Sequence, residues 1–414
     1  MKKLQVSGRM NETRQGTFAA LRHPNYRLWF IGQLISLFGT WMQNTAQGFL
    51  VFELTHSPEY LGFVGFASGI PSWLLTLYGG VVADRIPRRK LIISTQSSMM
   101  VLALALAALT FLHEVQPWHV IALAFLLGTA NAFDGPARQS FVSEMVAPED
   151  LTNAIALNSM MFQAATVVGP AMAGITYALF GPGWCFTLNA VSFIAVIAAL
   201  AAMKLPPHTP RTATTSAVDE LREGARYIRS QPTIIVLISM IAVSSMFGLS
   251  FTTLIPAWSV NVLGGGAEIN GLLFSARGTG ALLGAFFIAS LGRNIMRGRL
   301  LTAGSFLFPV LMFALAFSRT LPVSLLLLAG AGVGTIFVNN LSNALVQTST
   351  PERLRGRVMG TYTWVFFGFI PLGALWSGTI AGKLGEPAAV MINATIAFGF
   401  ALVIRVFYPG LRKE

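Results

Sequence analysis

Twelve long apolar runs limit the possible fold more than any other feature of this sequence. A helix needs about 20 predominantly apolar residues to cross the ~30 Å hydrocarbon core of a bilayer. Only helices and closed barrels are viable in lipid, and none of these runs alternates as a strand would. The runs cover roughly residues 27–52, 59–83, 90–112, 118–143, 153–180, 182–204, 232–258, 268–292, 299–318, 322–347, 356–381 and 385–408. The sequence therefore predicts an all-α polytopic membrane protein with twelve transmembrane helices.

Charged residues are too few for a soluble protein of this length, and they lie between the apolar runs. Only 11% of the 414 residues are charged and 54% are hydrophobic, whereas soluble domains carry about 25% charged residues. Most lysines and arginines fall in the even-numbered connections and the tails, which marks those segments as cytoplasmic. We therefore expect a multi-pass protein of the cell inner (plasma) membrane with both termini cytoplasmic. Because topology accounts for the net charge of +12, no nucleic-acid partner is expected.

The longest internal connection divides the chain into two halves of six helices each. The predicted parts are a cytoplasmic N-terminal tail 1–26, a bundle 27–204, a cytoplasmic linker 205–231, a second bundle 232–408 and a cytoplasmic tail 409–414. The segments "APEDL" at 147–151 and "TPERL" at 350–354 occupy equivalent places in the two halves. Internal repeats of this kind are typical of secondary transporters, so we expect two pseudo-symmetric six-helix bundles.

The linker contains a short amphipathic pattern. Its apolar residues Val218, Leu221, Ala225 and Ile228 recur at helical spacing among arginines. This spacing predicts a helix with one apolar face. Such a helix either lies at the cytoplasmic membrane surface or packs against the bundle, and the sequence leaves both possibilities open.

A charged segment, "GGVVADRIPRRK" at 79–90, separates the second and third apolar runs. Gly80, Asp84 and Arg88 are spaced four residues apart, so they share one face of a helix. The segment resembles the signature between helices 2 and 3 of the major facilitator superfamily, with a proline where that signature has its second glycine. The residues that match the signature are Gly80, Asp84, Arg85, Arg88 and Arg89.

The resemblance implies that this segment is half of a gate. In the superfamily the aspartate latches the two halves near the start of helix 11, here Met359–Thr361, and an arginine reaches an acid on helix 4. For Arg88 the available acid is Asp134, which is also spaced to pair with Arg138 on its own helix. The alternative is a plain topology signal, which requires bases but has no use for Asp84.

Three further segments resemble the enterobactin-exporter-like, or transmembrane secretion effector, branch of the superfamily. They are "LRHPNYRLWF", "GPARQSFVSEMVAPEDLTNA" and "TPERLRGRVMGTYTWVFFGFIPLGALWSG". Helix 5 also carries Gly169, Pro170 and Gly174, which resemble a motif of the superfamily's antiporters. Close packing of small residues against helix 8 is the alternative explanation of that stripe.

Several polar residues lie inside the predicted membrane spans and are candidates for a substrate site. Helices 1, 4, 7 and 10 line the central cavity in the superfamily, which implies cavity roles for polar residues there. The candidates for the substrate cavity are Gln43, Asn44, Gln47, Asn131, Arg277, Asn339 and Asn343. Interhelical hydrogen bonding is the alternative for the amides. Arg277 lies ~16 Å along its helix, so it is expected either to attract an anionic substrate group or to hold the halves in register.

Other classes of protein lack their sequence signals. No G-x-x-x-x-G-K-[ST] loop for ATP occurs, the histidines all lie in tails or loops, and the single cysteine is Cys185. We therefore predict no enzyme, no metal and no cofactor. The predicted function is proton-coupled export of an amphipathic, siderophore-like or drug-like molecule by a monomeric transporter working by alternating access. A facilitator, an importer and a non-transporting sensor or scaffold are the alternatives.

Overall fold

A computed structural model of the protein describes residues 18–205, 217–291 and 297–413, and nearly all of these residues are helical. The first 17 residues of the predicted tail, residues 206–216 of the predicted linker and residues 292–296 lie outside the described residues. The predicted all-α polytopic class is confirmed by the helices that follow.

The first half contains six long helices. They are α1 (Pro24–Thr55), α2 (Pro58–Arg85), α3 (Arg88–Phe111), α4 (Pro117–Phe141), α5 (Leu151–Phe180) and α6 (Pro182–Ala202). Four of them begin with proline in the first turn, where the missing N–H costs nothing because no intrahelical acceptor exists there. Two short 3₁₀ turns, Val142–Glu144 and Pro148–Asp150, connect α4 to α5.

The second half repeats this arrangement after a linker helix, Ala217–Arg229. Its membrane helices are α7 (Pro232–Val262), α8 (Ala267–Ser290), α9 (Arg297–Phe317), α10 (Leu321–Ser349), α11 (Glu352–Leu384) and α12 (Glu386–Phe407). α7 is irregular in its second part, where π-helical and 3₁₀ turns replace the regular α-helix.

Helix length and hydropathy agree with a membrane location. Ten of the described helices are long and apolar enough to cross a bilayer, and α2 adds an eleventh if its arms Pro58–Thr76 and Tyr78–Arg85, bent by 57°, form one span. α1 has 32 residues, but polar amides interrupt its apolar sequence and lower its hydropathy. Those amides are Gln33, Gln43, Asn44 and Gln47.

The helix contacts obey a pseudo-twofold pattern. In the first half, α2 packs on α4 and α3 packs on α6. In the second half, the equivalent helices form the equivalent pairs, α8 with α10 and α9 with α12. Between the halves, α2 packs along α11 and α5 packs along α8. α8 is the equivalent of α2 in the second half and α5 is the equivalent of α11 in the first half, so the same two surfaces are used twice.

The linker helix packs against the second half. Gly224 lies against the backbone of Arg357 near the start of α11, and Glu223 forms ion pairs with Arg357 and, at 3.9 Å, with Arg353. Ile228 is buried in an apolar cluster that includes Ile234 of α7. Of the two possibilities that the sequence left open, the contacts favour packing against the bundle.

Glycines set how closely the helices approach, and Gly280 gives a direct test. A Cβ added there would overlap the carbonyl group of Ala329 on α10. We expect Gly280→Ala to destabilise the protein by about 1–3 kcal/mol, as overpacking does. The measurement is the thermal unfolding midpoint in detergent. Gly399→Ala on α12 is the matched control, since no described atom lies within 4 Å of its Cβ position; equal midpoints for the two variants would contradict this packing.

Candidate transport pathway and gate

The two ends of the helical bundle differ in charge. Consecutive helices cross in opposite directions, so connections that follow even-numbered helices share one end and those that follow odd-numbered helices share the other. We call the first end the basic face; it carries Arg85, Arg88, Arg89, Arg353 and Arg357. We call the second end the acidic face; it carries Glu53, Glu59, Glu114, Glu268 and Glu386.

Near the acidic face, α2 and α11 are in tight contact. Gly62 packs on Ala374 and Gly378, and a Cβ added to Gly69 would lie 2.8 Å from the Cβ of Pro371. Further toward the basic face, the rings of Trp73 and Trp364 contact each other, with centroids 5.2 Å apart. Small residues at these positions allow the two helices to approach closely.

The second inter-half seam, between α5 and α8, is also closed toward the acidic face. Gly174 lies against Ala267 and Glu268, and Gly271 lies against Pro170. Ser275 donates a hydrogen bond from its hydroxyl to the carbonyl of Val167 at 2.7 Å. Gly169 packs on Trp41 of α1. The helix-5 residues Gly169, Pro170 and Gly174 therefore form a close-packed surface toward α1 and α8.

Toward the basic face, the seam between α2 and α11 opens. Gly360 lies 11 residues before Pro371 and therefore on the same face of α11, whereas Gly80 lies 11 residues beyond Gly69, past the 57° bend of α2. Within the described residues, no atom lies within 4 Å of a Cβ added to either glycine. The seam between α2 and α11 is thus closed toward the acidic face and open at these two glycines toward the basic face.

Asp84 lies beside this opening. Its carboxylate is 3.3 Å from the guanidinium of Arg88 and its side chain is 45% exposed. No hydrogen bond among the described residues joins it to Met359–Thr361. Arg85 is exposed, and Arg89 donates to the carbonyls of Ala201 at 2.8 Å and Met203 at 3.3 Å at the end of α6.

The acid that Arg88 reaches is Glu144, and the predicted pairing of Arg88 with Asp134 is wrong. Arg88 lies 2.5 Å from Glu144 and its side chain is only 12% exposed. Glu144 follows the end of α4, at the level where α3 begins, whereas Asp134 lies ten residues earlier, about 15 Å deeper along the helix. A carboxylate just past the fourth apolar run was the sequence signal that would have identified this partner.

Asp134 is instead the centre of a buried polar cluster between α3 and α4. It is 0% exposed, and its Oδ2 lies 2.6 Å from Nε of Arg138, the residue that its i, i+4 spacing indicated. Its Oδ1 accepts hydrogen bonds from the hydroxyl of Thr95 at 2.8 Å and from the amide of Gln96 at 3.1 Å. Two side chains therefore donate hydrogen bonds to Oδ1, and the guanidinium of Arg138 lies beside Oδ2 as an ion pair without hydrogen-bond geometry.

Some amide side chains of α1 and α4 are buried between helices, and others are exposed. Gln43 is buried and accepts a hydrogen bond from Asn189 of α6 at 2.6 Å, a contact of the kind that the interhelical alternative describes. Gln47 is also buried, whereas Asn44 is exposed. Asn131 is partly exposed and donates to the carbonyl of Leu127 in its own helix at 3.1 Å.

The amides of α10 are partly exposed and lie toward the basic face. Asn339 accepts a hydrogen bond from the hydroxyl of Ser244 on α7 at 3.3 Å, and its carbonyl accepts one from Tyr362 of α11 at 3.1 Å. Asn343 accepts from the amide of Gln347 at 2.7 Å. The Asn339 contacts join α10 to α7 and α11, whereas the Asn343 bond lies within α10. Part of each amide stays accessible.

Arg277 is the charged residue deepest in the second half. It lies ten residues from the start of α8, about 15 Å along the helix. Phe286, which is 73% exposed, lies about 180° round the helix, so Arg277 faces the interior of the bundle. Its Nε is buried and has no hydrogen-bond partner among the described residues. Asn270, a residue that the sequence did not single out, shares this interior face and donates to the carbonyl of Thr45 in the other half at 3.5 Å.

Two six-helix halves that meet along repeated seams around a polar interior define a multi-pass membrane transporter of the major facilitator type. The chain belongs to the transmembrane secretion effector family of that superfamily, whose sequence profile matches residues 15–412.

Known relatives extend over almost the whole chain. The Staphyloferrin A transporter of Staphylococcus aureus is 24% identical, with 94% of this chain and 96% of that protein covered. The Enterobactin exporter EntS of Citrobacter koseri is 27% identical, with 92% and 90% covered. Family membership identifies the chain as a transporter and not an enzyme.

Solved structures show the same fold. A bacterial homolog to the human lysosomal transporter Spinster, in an inward-facing and occupied conformation, superposes with a TM-score of 0.76 at 12% identity and covers 95% of this chain and 99% of that chain. The nucleoside transporter NupG superposes with a TM-score of 0.68 at 16% identity and covers 93% and 98%. At these identities the likeness extends to the fold alone.

Proposed function

We propose that the protein exports an anionic, amphipathic small molecule of the siderophore class across the inner membrane, in exchange for protons. The observation that carries the proposal is Arg277, whose buried guanidinium nitrogen has no partner among the described residues. A charged residue inside a membrane protein is costly, and such residues mark substrate or ion pathways. Siderophores bind iron through oxygen groups that ionise, and guanidinium matches such groups in charge and geometry.

The relatives support this substrate class. One is named for staphyloferrin A and another for enterobactin, and both names denote siderophores. At 24% and 27% identity, they support the class of compound and leave the compound itself to experiment. The experiment that closes this subsection distinguishes export from the facilitator, importer and non-transporting alternatives.

Orientation in the membrane follows from charge. Lysine and arginine are enriched on cytoplasmic loops, so we assign the basic face, the linker 205–231 and the tails 1–26 and 409–414 to the cytoplasm. The bundles are then 27–204 and 232–408, and the cleft in this structure opens inward. The protein is proposed to work as a monomer, since one chain supplies both halves.

Alternating access requires the open seam to close at the basic face. Along α2 and α11, Gly62 faces Gly378, and Gly69, seven residues on, faces Pro371, seven residues back. The same register continued toward the basic face places Gly80 opposite Gly360. Asp84 then lies opposite Gly356, which is flanked by Arg355 and Arg357.

Those arginines explain why the gate contains an acid. Arg355 is exposed and Arg357 pairs with Glu223 of the linker helix in the open state. When the seam closes, Asp84 meets this basic start of α11, and the ion pair that forms stabilises the closed basic face. Arg88, fixed by Glu144, holds the end of α2 in position.

Proton exchange supplies the energy of export. The chain contains no nucleotide-binding loop of the G-x-x-x-x-G-K-[ST] type, and the inward proton gradient across an inner membrane can drive outward transport. The resemblance of Gly169, Pro170 and Gly174 to an antiporter motif agrees with this coupling.

The metabolites of a strain that lacks this protein test the proposed function. Under iron limitation, we expect one iron-chelating compound to accumulate inside the cells and to decrease in the medium, and re-expression to reverse both changes. Mass spectrometry of cells and medium makes the measurement. Loss of uptake with no internal excess would favour an importer. Unchanged metabolites, with no flux from purified protein in liposomes, would favour the sensor or scaffold.

A further inference from the structure

Asp134 differs from every other acid whose side chain the structure describes. Those other acids lie at helix ends, in connections or on the linker helix. Asp134 lies within α4, seven residues before its end, and is 0% exposed. A charge buried within a membrane helix is costly. Membrane topology does not explain an acid at this position, so we looked for a chemical role.

We propose that Asp134 is the proton-binding site that couples transport to the proton gradient. This inference rests on the proposed proton exchange and names the residue that carries it. The proton adds to a carboxylate oxygen of Asp134 to form a neutral carboxylic acid, and the same O–H bond breaks when the proton leaves toward the basic face.

The surroundings of Asp134 can accommodate both protonation states. The carboxylate accepts hydrogen bonds from Thr95 and Gln96 and pairs with Arg138 at 2.6 Å. The amide oxygen of Gln96 is buried and has no hydrogen-bond partner among the described residues. If that amide turns by half a rotation, its oxygen faces the site and accepts a hydrogen bond from the protonated acid. One side chain thus serves as donor to the charged form and acceptor for the neutral form.

The charge and the partial exposure of Arg138 connect the Asp134 site to the open or closed state of the basic face. Arg138 is the only charged group that pairs with Asp134 among the described residues, and its side chain is 28% exposed. The charged side chains near this part of α2 and α3 lie toward the basic face, where Arg88 is fixed by Glu144 and Asp84. Gly135, the next residue along α4, faces open space.

These features give the direction of coupling. With the basic face open, water reaches Arg138 and the ion pair stabilises the unprotonated carboxylate, so the proton is released inward. When the basic face closes and the acidic face opens, the pair is cut off from cytoplasmic water, and the carboxylate takes up a proton that enters from the acidic face. Protonation frees Arg138 from its partner. Each cycle therefore carries one proton inward on Asp134.

The competing explanation is a structural one, in which the cluster only ties α3 to α4. Asp134→Asn separates the two explanations, because asparagine keeps the shape and an acceptor oxygen for Thr95 but cannot bind a proton. Glu114→Gln is the matched control, since Glu114 is exposed on the acidic face and has no proposed role.

The first experiment needs no substrate. Infrared difference spectra of the purified protein, recorded between acidic and alkaline pH, should show a carboxylic-acid C=O band that is absent from Asp134→Asn and retained in Glu114→Gln. A band that persists undiminished in Asp134→Asn would overturn the assignment.

The second experiment uses enterobactin as the probe in proteoliposomes. For one proton exchanged, each unit of pH difference can sustain about a tenfold concentration ratio. We expect the wild type and Glu114→Gln to approach this ratio. Asp134→Asn should reach a ratio of about one while still exchanging labelled for unlabelled enterobactin at a rate within about twofold of the wild type.

The outcomes distinguish the two proposals. A folded Asp134→Asn protein that responds fully to the pH difference, or one that loses exchange as well, would overturn the proton site; the latter result would assign Asp134 a structural role. A wild-type protein that exchanges enterobactin but ignores the pH difference would contradict the proposed antiport itself.

Discussion

Arg277→Gln is expected to weaken the transport of enterobactin about 10- to 100-fold in apparent affinity. A hydrogen bond to a charged group is worth about 1.5–3 kcal/mol, and 1.4 kcal/mol corresponds to about a factor of ten. The loss should appear mainly in the substrate concentration for half-maximal flux, because the guanidinium is proposed to bind the substrate's anionic group. Concentration-dependent flux into proteoliposomes makes the measurement.

Two comparisons make this result specific. Arg405→Gln removes an arginine that is exposed near the end of α12 and should leave the flux unchanged. Arg277→Lys keeps the charge without the planar guanidinium and should fall between glutamine and the wild type. If Arg277→Gln reduces the flux of the cationic dye ethidium as much as that of enterobactin, Arg277 holds the halves in register instead, as the sequence also allowed.

Cross-linking Gly80→Cys to Gly360→Cys is expected to abolish transport, because the continued register of α2 and α11 brings these residues together only when the basic face closes. The background is Cys185→Ala, which removes the only native cysteine. Oxidation during turnover should form the disulfide and reduce exchange to the level of protein-free liposomes, and a reductant should restore it. Flux before and after each treatment, with gel mobility, gives the readout.

Single-cysteine variants are the controls for this experiment. Gly80→Cys alone and Gly360→Cys alone face open space in the described state, so each should fold and keep its activity after oxidation. A double variant that never cross-links during turnover, or that stays active once it is cross-linked, would show that the seam does not close in this register.

Properties that depend on neighbouring residues along the chain could be predicted from the sequence. Hydropathy over about 20 residues decides whether a segment can span a bilayer, which is why the long helices follow the predicted order. The ion pair between Asp134 and Arg138 was predictable for the same reason, since residues four apart on a helix are neighbours.

Partners on different helices could not be predicted in the same way. Arg88 pairs with Glu144 because α4 extends to the level where α3 begins, and this depth is a property of two helices packed together. Gln43 contacts Asn189 because α1 is rotated toward α6, and the sequence did not show this rotation. Hydropathy fixes neither the rotation nor the relative depth of a helix.

The sequence by itself determined the class of protein, its helices and the charge difference between its two ends, because lipid solvation and helix geometry act locally. Only the tertiary structure decided which face of each helix is buried. It also decided that both seams are closed at the acidic face, that the seam between α2 and α11 is open at the basic face, and that Gln96 and Thr95 complete the surroundings of Asp134. These features depend on close packing between residues far apart in the chain, and that packing is set by side-chain shape over many helices at once.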